Sequence, residues 1–196
     1  ISSNGKFNYL NCTSSTRTVY SGLTLKKESK VSLALSFKVL YKTFGGLFCL
    51  KFDNNILFYG EIDYIEDEDI TWLNIYAKEG SNVTLLHDMV FDEFIGRWAS
   101  MVLTYDKETG LSTFACENEL TSDTFVCESS LVGTNASLYL GCLNLRETPD
   151  FWLSCQFSKV IVAEGVISDD DMQKMINESN YLMRLQNTRV TMRMAT

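Results

Sequence analysis

The segment 98–120 constrains the fold more than any other part of the sequence. Every second residue of its first half falls on one face of an extended chain: Ala99, Met101, Leu103 and Tyr105. A period of two residues is typical of a half-buried antiparallel strand. A polar turn follows and ends at Gly110, which can adopt a positive φ. The segment therefore predicts a strand, a tight turn and a second strand, as in the hairpins of β-sandwiches.

Strand-like segments recur along most of the chain, and turn-forming residues separate them. They cover residues 18–25, 30–40, 47–52, 56–59, 70–78, 83–90, 98–105, 112–116, 137–143 and 151–164. Many short strands at this spacing predict an all-β sandwich or barrel. Near the end, Ser168 and the three aspartates after it predict a helix N-terminus. No low-complexity linker interrupts the chain, so we expect one domain over residues 1–180 and a C-terminal tail over 181–196.

The charge and hydropathy of the chain argue against a nucleic-acid partner and against a transmembrane segment. Its 196 residues include 25 acidic and 17 basic side chains, which gives a formal net charge of −8. Sequence-independent binding of nucleic acid requires clustered Lys and Arg, so we expect no nucleic-acid partner. No apolar run approaches the ~18 residues that a membrane helix needs, so we expect no transmembrane segment.

Cysteines and glycosylation sequons indicate the compartment. The six cysteines are even in number, and four Asn-x-Ser/Thr sequons begin at Asn11, Asn82, Asn135 and Asn177. Together they favour an oxidising environment, outside the cell, at its surface or in the secretory lumen, although six reduced thiols in an intracellular protein are the alternative. Six cysteines allow fifteen pairings, between which the sequence does not choose. Proximity along the chain favours the pairs Cys116–Cys127 and Cys142–Cys155, which leaves Cys12–Cys49.

Three groups of segments occur in a recognisable order. The first group is a strand over residues 31–38 and a Gly-Gly-Leu-Phe strand over 45–50. The second is Gly-Arg-Trp followed by an alternating strand, over 94–106. The third is two strands over 137–142 and 151–163 and a helix over 167–176. In this order they resemble the laminin G, pentraxin and thrombospondin N-terminal group of concanavalin A-like jelly rolls. The resemblance implies a two-sheet antiparallel jelly-roll sandwich with a short C-terminal helix. It also implies binding of glycans, proteins or sulfated polysaccharides, sometimes through calcium.

An acidic stretch supplies a possible catalytic site. Glu61, Asp63 and Glu66 match the E-x-D-x-x-E pattern of laminarinase-type β-glucanases, which share the jelly-roll fold. By this resemblance Glu61 is the nucleophile, Asp63 its modulator and Glu66 the general acid and base. A retaining glycosidase holds its two carboxyls about 5–5.5 Å apart. On a regular strand Glu66 faces away from Glu61, so this hypothesis requires a bulge between Asp63 and Glu66.

The same stretch offers oxygen ligands for calcium: Glu61, Asp63, Glu66, Asp67 and Asp69. The spacing is not that of an EF-hand, and a solvated charged loop between two strands is the simplest interpretation. Among the aromatic residues, Trp72 is the best candidate for an exposed ring that stacks on a sugar. His87 lacks a nucleophile motif beside it, so we expect a structural residue at a strand end.

The sequence therefore supports three hypotheses about function. The first is a non-catalytic binding module of a secreted or lumenal protein, which recognises a glycan or a protein partner. The second is a laminarinase-type β-glucan hydrolase that uses the three acids. The third is a structural subunit of a larger assembly, which docks through the tail 181–196. The first is favoured because the closing segments resemble laminin G domains and the cleft of a glucanase is incomplete.

Overall fold

The computed structural model describes residues 2–3, 8–13, 18–24, 29–145 and 150–178. The tail 181–196 lies outside the described residues, and so does its predicted role in assembly. Within the described residues there are thirteen strands: β1 (Ser2–Ser3), β2 (Asn8–Cys12), β3 (Thr18–Thr24), β4 (Lys30–Val39), β5 (Gly45–Phe52), β6 (Ile56–Ile65), β7 (Ile70–Glu79), β8 (Asn82–Val90), β9 (Trp98–Asp106), β10 (Leu111–Cys116), β11 (Glu119–Thr124), β12 (Asn135–Leu140) and β13 (Cys155–Glu164). One α-helix, α1, covers residues 169–178 of the described chain, and a single turn of 3-10 helix covers Asp92–Phe94.

The strands form two antiparallel sheets. The seven-stranded sheet has the order β1-β2-β13-β4-β9-β10-β11, and the six-stranded sheet has the order β3-β12-β5-β6-β7-β8. Each predicted hairpin strand pairs as expected, with β9 beside β10 and β10 beside β11. The predicted two-sheet sandwich with a short C-terminal helix is confirmed. No helix in the described part of the chain is both long enough and apolar enough to cross a membrane.

The core lies between the two sheets and is rich in aromatic rings. The rings of Phe58 and Tyr105 have their centroids 4.8 Å apart, and Phe37 stacks on Phe91 at 5.7 Å. The hydroxyl of Tyr105 donates to the carbonyl oxygen of Phe125 at 2.8 Å, so this buried polar group is satisfied. Dense aromatic packing makes the sandwich a rigid support for side chains on its outer faces.

Strand β9 differs from the prediction in one respect, because it is buried on both faces. Ser100, Val102 and Thr104 alternate with the four residues of the predicted buried face and should be exposed in a half-buried strand. Each is at most 3% exposed. Helix α1 lies on this outer face and packs Met172 and Ile176 against small residues of the sheet. The predicted N-cap is confirmed, since the backbone N–H of Asp171 donates to Oγ of Ser168 at 3.2 Å.

Candidate functional site

Strands β6 and β7 pair without interruption from Ile56 opposite Glu79 to Ile65 opposite Ile70. Ile62, Leu73 and Ile75 of this pair point into the core. Because side chains alternate along a strand, the residues between them lie on the outer face of the six-stranded sheet. We call this surface the β6–β7 face; its members are Tyr59, Glu61, Asp63, Trp72, Asn74 and Tyr76. Three directly opposite pairs form it: Tyr59 with Tyr76, Glu61 with Asn74, and Asp63 with Trp72.

A hydrogen bond from a neighbouring tyrosine fixes the carboxylate of Glu61 on the β6–β7 face. Tyr76 stacks on Tyr59 with ring centroids 5.0 Å apart, and its hydroxyl donates to the carboxylate of Glu61. Partial burial raises the pKa of Glu61 above its usual range, while the bond from Tyr76 opposes that shift. Burial also raises the pKa of Tyr76 to about 12. Tyr76 therefore keeps its proton at neutral pH and fixes the direction of the Glu61 carboxylate.

Residues 142–145 and 150–151 cover the part of the outer face of the six-stranded sheet that is formed by β5. The N–H of Gly46 donates to the carbonyl oxygen of Phe151 at 2.7 Å, and the thiol of Cys49 donates to that of Asn144 at 3.9 Å. A side chain at Gly46 is excluded, because its Cβ would lie 2.5 Å from the backbone nitrogen of Leu143. Gly46 stands opposite Glu61. The covering segment packs Leu143 against Tyr59, which is only 5% exposed, and borders the rest of the β6–β7 face.

Two exposed phenylalanines stand at this border. Phe44 and Phe151 pack edge to face with centroids 5.3 Å apart, although they are 42% and 45% exposed. Phe151 also has a φ of 53°, which bulky residues rarely adopt and which costs about 1–3 kcal/mol. Strained backbone positions cluster at functional sites. Neither ring stands out in the sequence, because Phe44 lies between two predicted strands and Phe151 begins the predicted strand 151–164, whereas β13 begins at Cys155.

The structure separates the three acids of the catalytic hypothesis. Each residue of β6 up to Ile65 has a partner in β7, so the bulge that the catalytic hypothesis requires is absent from this strand pair. Glu66 is exposed and begins the turn 66–69, past the end of the strand. Glu61 and Asp63 share the outer face, because they are two residues apart on β6. The pair of facing carboxyls that a retaining glycosidase needs is not formed by Glu61 and Glu66.

The predicted calcium ligands do not converge either. Among the described residues, no group of three or more His, Cys, Asp or Glu side chains is arranged to hold a metal ion. Glu61 and Asp63 lie on the sheet, whereas Glu66, Asp67 and Asp69 lie in the turn. Asp69 accepts instead from Lys42 at 2.7 Å and from Tyr64 at 3.1 Å, and these bonds lower its pKa. Its carboxylate is compensated by protein groups rather than left for a cation.

His87 lies at the other edge of the six-stranded sheet, inside β8 rather than at its end. It is buried between the sheets, where Nε2 is 3.0 Å from Oγ of Ser112 and Nδ1 is 2.9 Å from Oγ1 of Thr121. Its ring stacks on Phe114 with centroids 5.4 Å apart. Burial lowers the pKa of His87 to about 4. It therefore links the two sheets as a neutral residue.

Two of the expected disulfide pairs do not fit the topology. Cys116 ends β10 opposite Glu119, whereas Cys127 follows β11 and donates to Ser129 and Glu79 near the other end of that hairpin. Cys12 belongs to the core between the sheets, but Cys49 packs with residues on the outer face of the six-stranded sheet. All six cysteines are buried, and this structure holds them in the reduced form.

The four sequon asparagines are all exposed, which glycosylation requires. Asn82 and Asn135 lie at the end of the six-stranded sheet far from Asp63, since Asn82 pairs with Glu79 and Asn135 with Thr24. Asn11 is on β2 and Asn177 is on α1, both in the layer of the seven-stranded sheet. Glycans at these positions would leave the β6–β7 face open.

Comparisons with known proteins bear on the fold alone. No protein-family model and no curated protein sequence matches the chain. Among solved structures, a heptameric SAP-like pentraxin from Limulus polyphemus has a TM-score of 0.54 at 12% identity, over 85% of this chain and 74% of that chain. Mouse laminin α1 domains LG4-5 have a TM-score of 0.56 at 13% identity, over 83% and 44%. The Ruminococcus gnavus IT-sialidase CBM40 bound to α2,3 sialyllactose has 0.54 at 16%, over 78% and 84%. These likenesses confirm the expected concanavalin A-like jelly-roll fold.

Proposed function

We propose that this protein is a non-catalytic binding module that recognises a glycan on the β6–β7 face. The observation that carries the proposal is the shared outer face of Glu61, Asp63, Asn74 and Trp72 on a rigid sheet. Carboxylates and an amide provide hydrogen-bonding groups for sugar hydroxyls, and an aromatic ring provides a stacking surface. One of the similar structures is itself bound to a sialyllactose. Support for a hydrolase is weaker, because Glu66 is not on this face.

The negative charge of the β6–β7 face indicates which class of glycan it can bind. Asp88 on β8 stands opposite Asn74, so three carboxylates lie close together on the surface: Glu61, Asp63 and Asp88. The two nearest lysines of the same face, Lys51 and Lys78, are several residues away along the strands. Because like charges repel, we expect neutral or amino sugars to bind. We expect sulfated glycans and sialylated glycans, unlike the sialyllactose bound in the CBM40 structure, to be rejected. A glycan array, screened with and without calcium, tests this expectation directly.

Trp72→Ala should weaken binding to the best ligand of that array at least about tenfold, or 1.4 kcal/mol. The half-buried ring of Trp72 would be lost from the face while the core residues of β7 remain. Titration calorimetry measures the dissociation constant. Leu120→Ala is the matched control, because Leu120 is an exposed apolar residue of β11 in the other sheet. Equal affinity of wild type and Trp72→Ala would contradict the proposed location.

The variant Glu61→Gln distinguishes binding of an amino sugar from binding of a neutral sugar. For an amino sugar, loss of the carboxylate charge should weaken binding about tenfold or more, since hydrogen bonds between charged groups contribute about 1.5–3 kcal/mol. For a neutral sugar, the amide still accepts a hydrogen bond and the change should be smaller. If neither Trp72→Ala nor Glu61→Gln alters binding, the proposal is wrong, and the ligand is a protein or binds on another surface.

We also propose an extracellular, cell-surface or lumenal location, which the exposure of all four sequon asparagines supports. When the chain is secreted from eukaryotic cells, peptide N-glycosidase should reduce its mass, and Asn→Gln variants should identify the occupied positions. Glycan binding should be unchanged after this treatment, because the sequons lie away from the β6–β7 face. A secreted protein whose mass does not change would contradict the glycosylation.

A further inference from the structure

Cys12 and Cys155 stand directly opposite each other on neighbouring antiparallel strands. Cys12 ends β2 and Cys155 begins β13, and the register pairs them. Directly opposite residues in such strands have their Cα atoms about 4.5–5.5 Å apart. Disulfide-bonded cysteines usually have Cα atoms about 4.4–6.8 Å apart. The backbone positions therefore suit a disulfide bond as they stand.

The two sulfur atoms also approach the same place, next to Gly141. A Cβ atom built on Gly141 would lie 2.9 Å from Sγ of Cys12 and 3.4 Å from Sγ of Cys155. Both cysteines are fully buried. As thiols they donate to the carbonyl oxygens of Leu140 at 3.5 Å and Leu153 at 3.6 Å. Thiols are weak donors, so little hydrogen bonding is lost when the two sulfurs are joined.

We propose that Cys12 and Cys155 form a disulfide bond that fastens β2 to β13. The bond forms by exchange with a small-molecule disulfide such as oxidised glutathione. The thiolate of one cysteine opens glutathione disulfide to give a mixed disulfide and one glutathione thiolate. The thiolate of the second cysteine then displaces the remaining glutathione. Two protein thiols are oxidised and one glutathione disulfide is reduced to two thiols. Because both sulfurs are buried in the folded protein, the exchange takes place during folding.

This pairing differs from the pairs that chain proximity favours. It leaves Cys142, which follows Gly141, and Cys49 outside the bond. Among the described pairings, β13 meets β2 at three positions, from Cys155 opposite Cys12 to Phe157 opposite Leu10. A bond at the first of them closes a loop of about 143 residues and restricts the unfolded chain strongly. The inference does not depend on the glycan-binding proposal.

Peptide mapping of the full chain tests the pairing without any mutation. The protein is refolded in a glutathione redox buffer, its thiols are alkylated, and it is digested without reduction. Mass spectrometry should detect one linked pair of peptides that contain Cys12 and Cys155, and dithiothreitol should abolish it. Alkylation of both residues would overturn the inference. A linked peptide that joins either of them to Cys142 or Cys49 would overturn it as well.

Thermal unfolding provides a second test. Reduction should lower the Tm of the oxidised wild type by about 5–10 °C, because a long loop is no longer closed. The double variant Cys12→Ser, Cys155→Ser should show no such drop. Cys116→Ala is the matched control, since Cys116 is equally buried but ends β10 away from this pair, and its drop should match the wild type. An equal drop in the double variant and the wild type would refute the proposal.

Discussion

Gly141→Ala is expected to lower the free energy of unfolding by about 3 kcal/mol or more. Gly141 has a φ of 73°, a conformation that costs an alanine about 1–2 kcal/mol. The added Cβ would also lie 2.5 Å from Cβ of Cys12, and relief of such overpacking typically costs about 1–3 kcal/mol. The backbone is held on both sides, because the N–H of Gly141 donates to Leu47 and its oxygen accepts from Leu153.

Gly133→Ala is the matched control for this experiment. Gly133 has a φ of 80° as well, but no atom lies within 4 Å of the position of an added Cβ. This variant should therefore show the conformational cost alone, about 1 kcal/mol. Urea unfolding of the two variants and the wild type, under reducing conditions, measures both losses. Equal losses would show that the contact with Cys12 is unimportant.

Acid should destabilise the protein through His87 as the pH falls from about 6.5 to about 4. Burial holds the pKa of His87 in the folded protein at about 4, below the usual 6.5. Above pH 6.5 the imidazole is neutral in both states, and its full contribution to stability is present. Between these values the unfolded chain binds the proton first, so stability declines. The linkage relation gives a loss on the order of 3 kcal/mol over this range.

His87→Gln isolates this effect from the titration of carboxylates. The variant loses the hydrogen bonds to Ser112 and Thr121 in part, so it should be less stable than the wild type at pH 7.5. At pH 4.5 the difference between the two proteins should shrink or reverse, because only the wild type must keep a buried imidazole neutral. Urea midpoints at both pH values provide the comparison. A difference that is independent of pH would contradict the assignment.

The parts of the fold that local patterns determine could be predicted from the sequence. The alternation that begins at Ala99 and the turn at Gly110 correctly predict the β9–β10 hairpin. Ser168 correctly predicts the start of α1. The burial of Ser100 and Val102 could not be predicted, because it depends on a helix that is about 70 residues further along the chain. Small polar residues suggest exposure until the element that covers them is known.

The candidate site and the disulfide pairing could also be predicted from the sequence only in part. Glu61 and Asp63 were singled out by the E-x-D-x-x-E pattern and Trp72 by its residue type, but their common face follows from the register of β6 with β7. The bulge that Glu66 required has no local signal, and it does not occur. Cys155 was assigned to Cys142 because they are close in sequence, whereas its register partner is Cys12. The partner of Cys155 is determined by strand pairing across most of the chain, which local periodicity does not reveal.

The position of β13 between β2 and β4 also has a consequence for folding kinetics. The seven-stranded sheet cannot be completed until the ribosome has released residue 164, because the strand that joins its two parts is made last. The first part of the chain must therefore wait for synthesis of nearly the whole domain. Contacts between residues so far apart in sequence slow folding. While β13 is missing, β2 and β4 have unpaired edges that are prone to aggregation, and protection by chaperones should matter most in that interval.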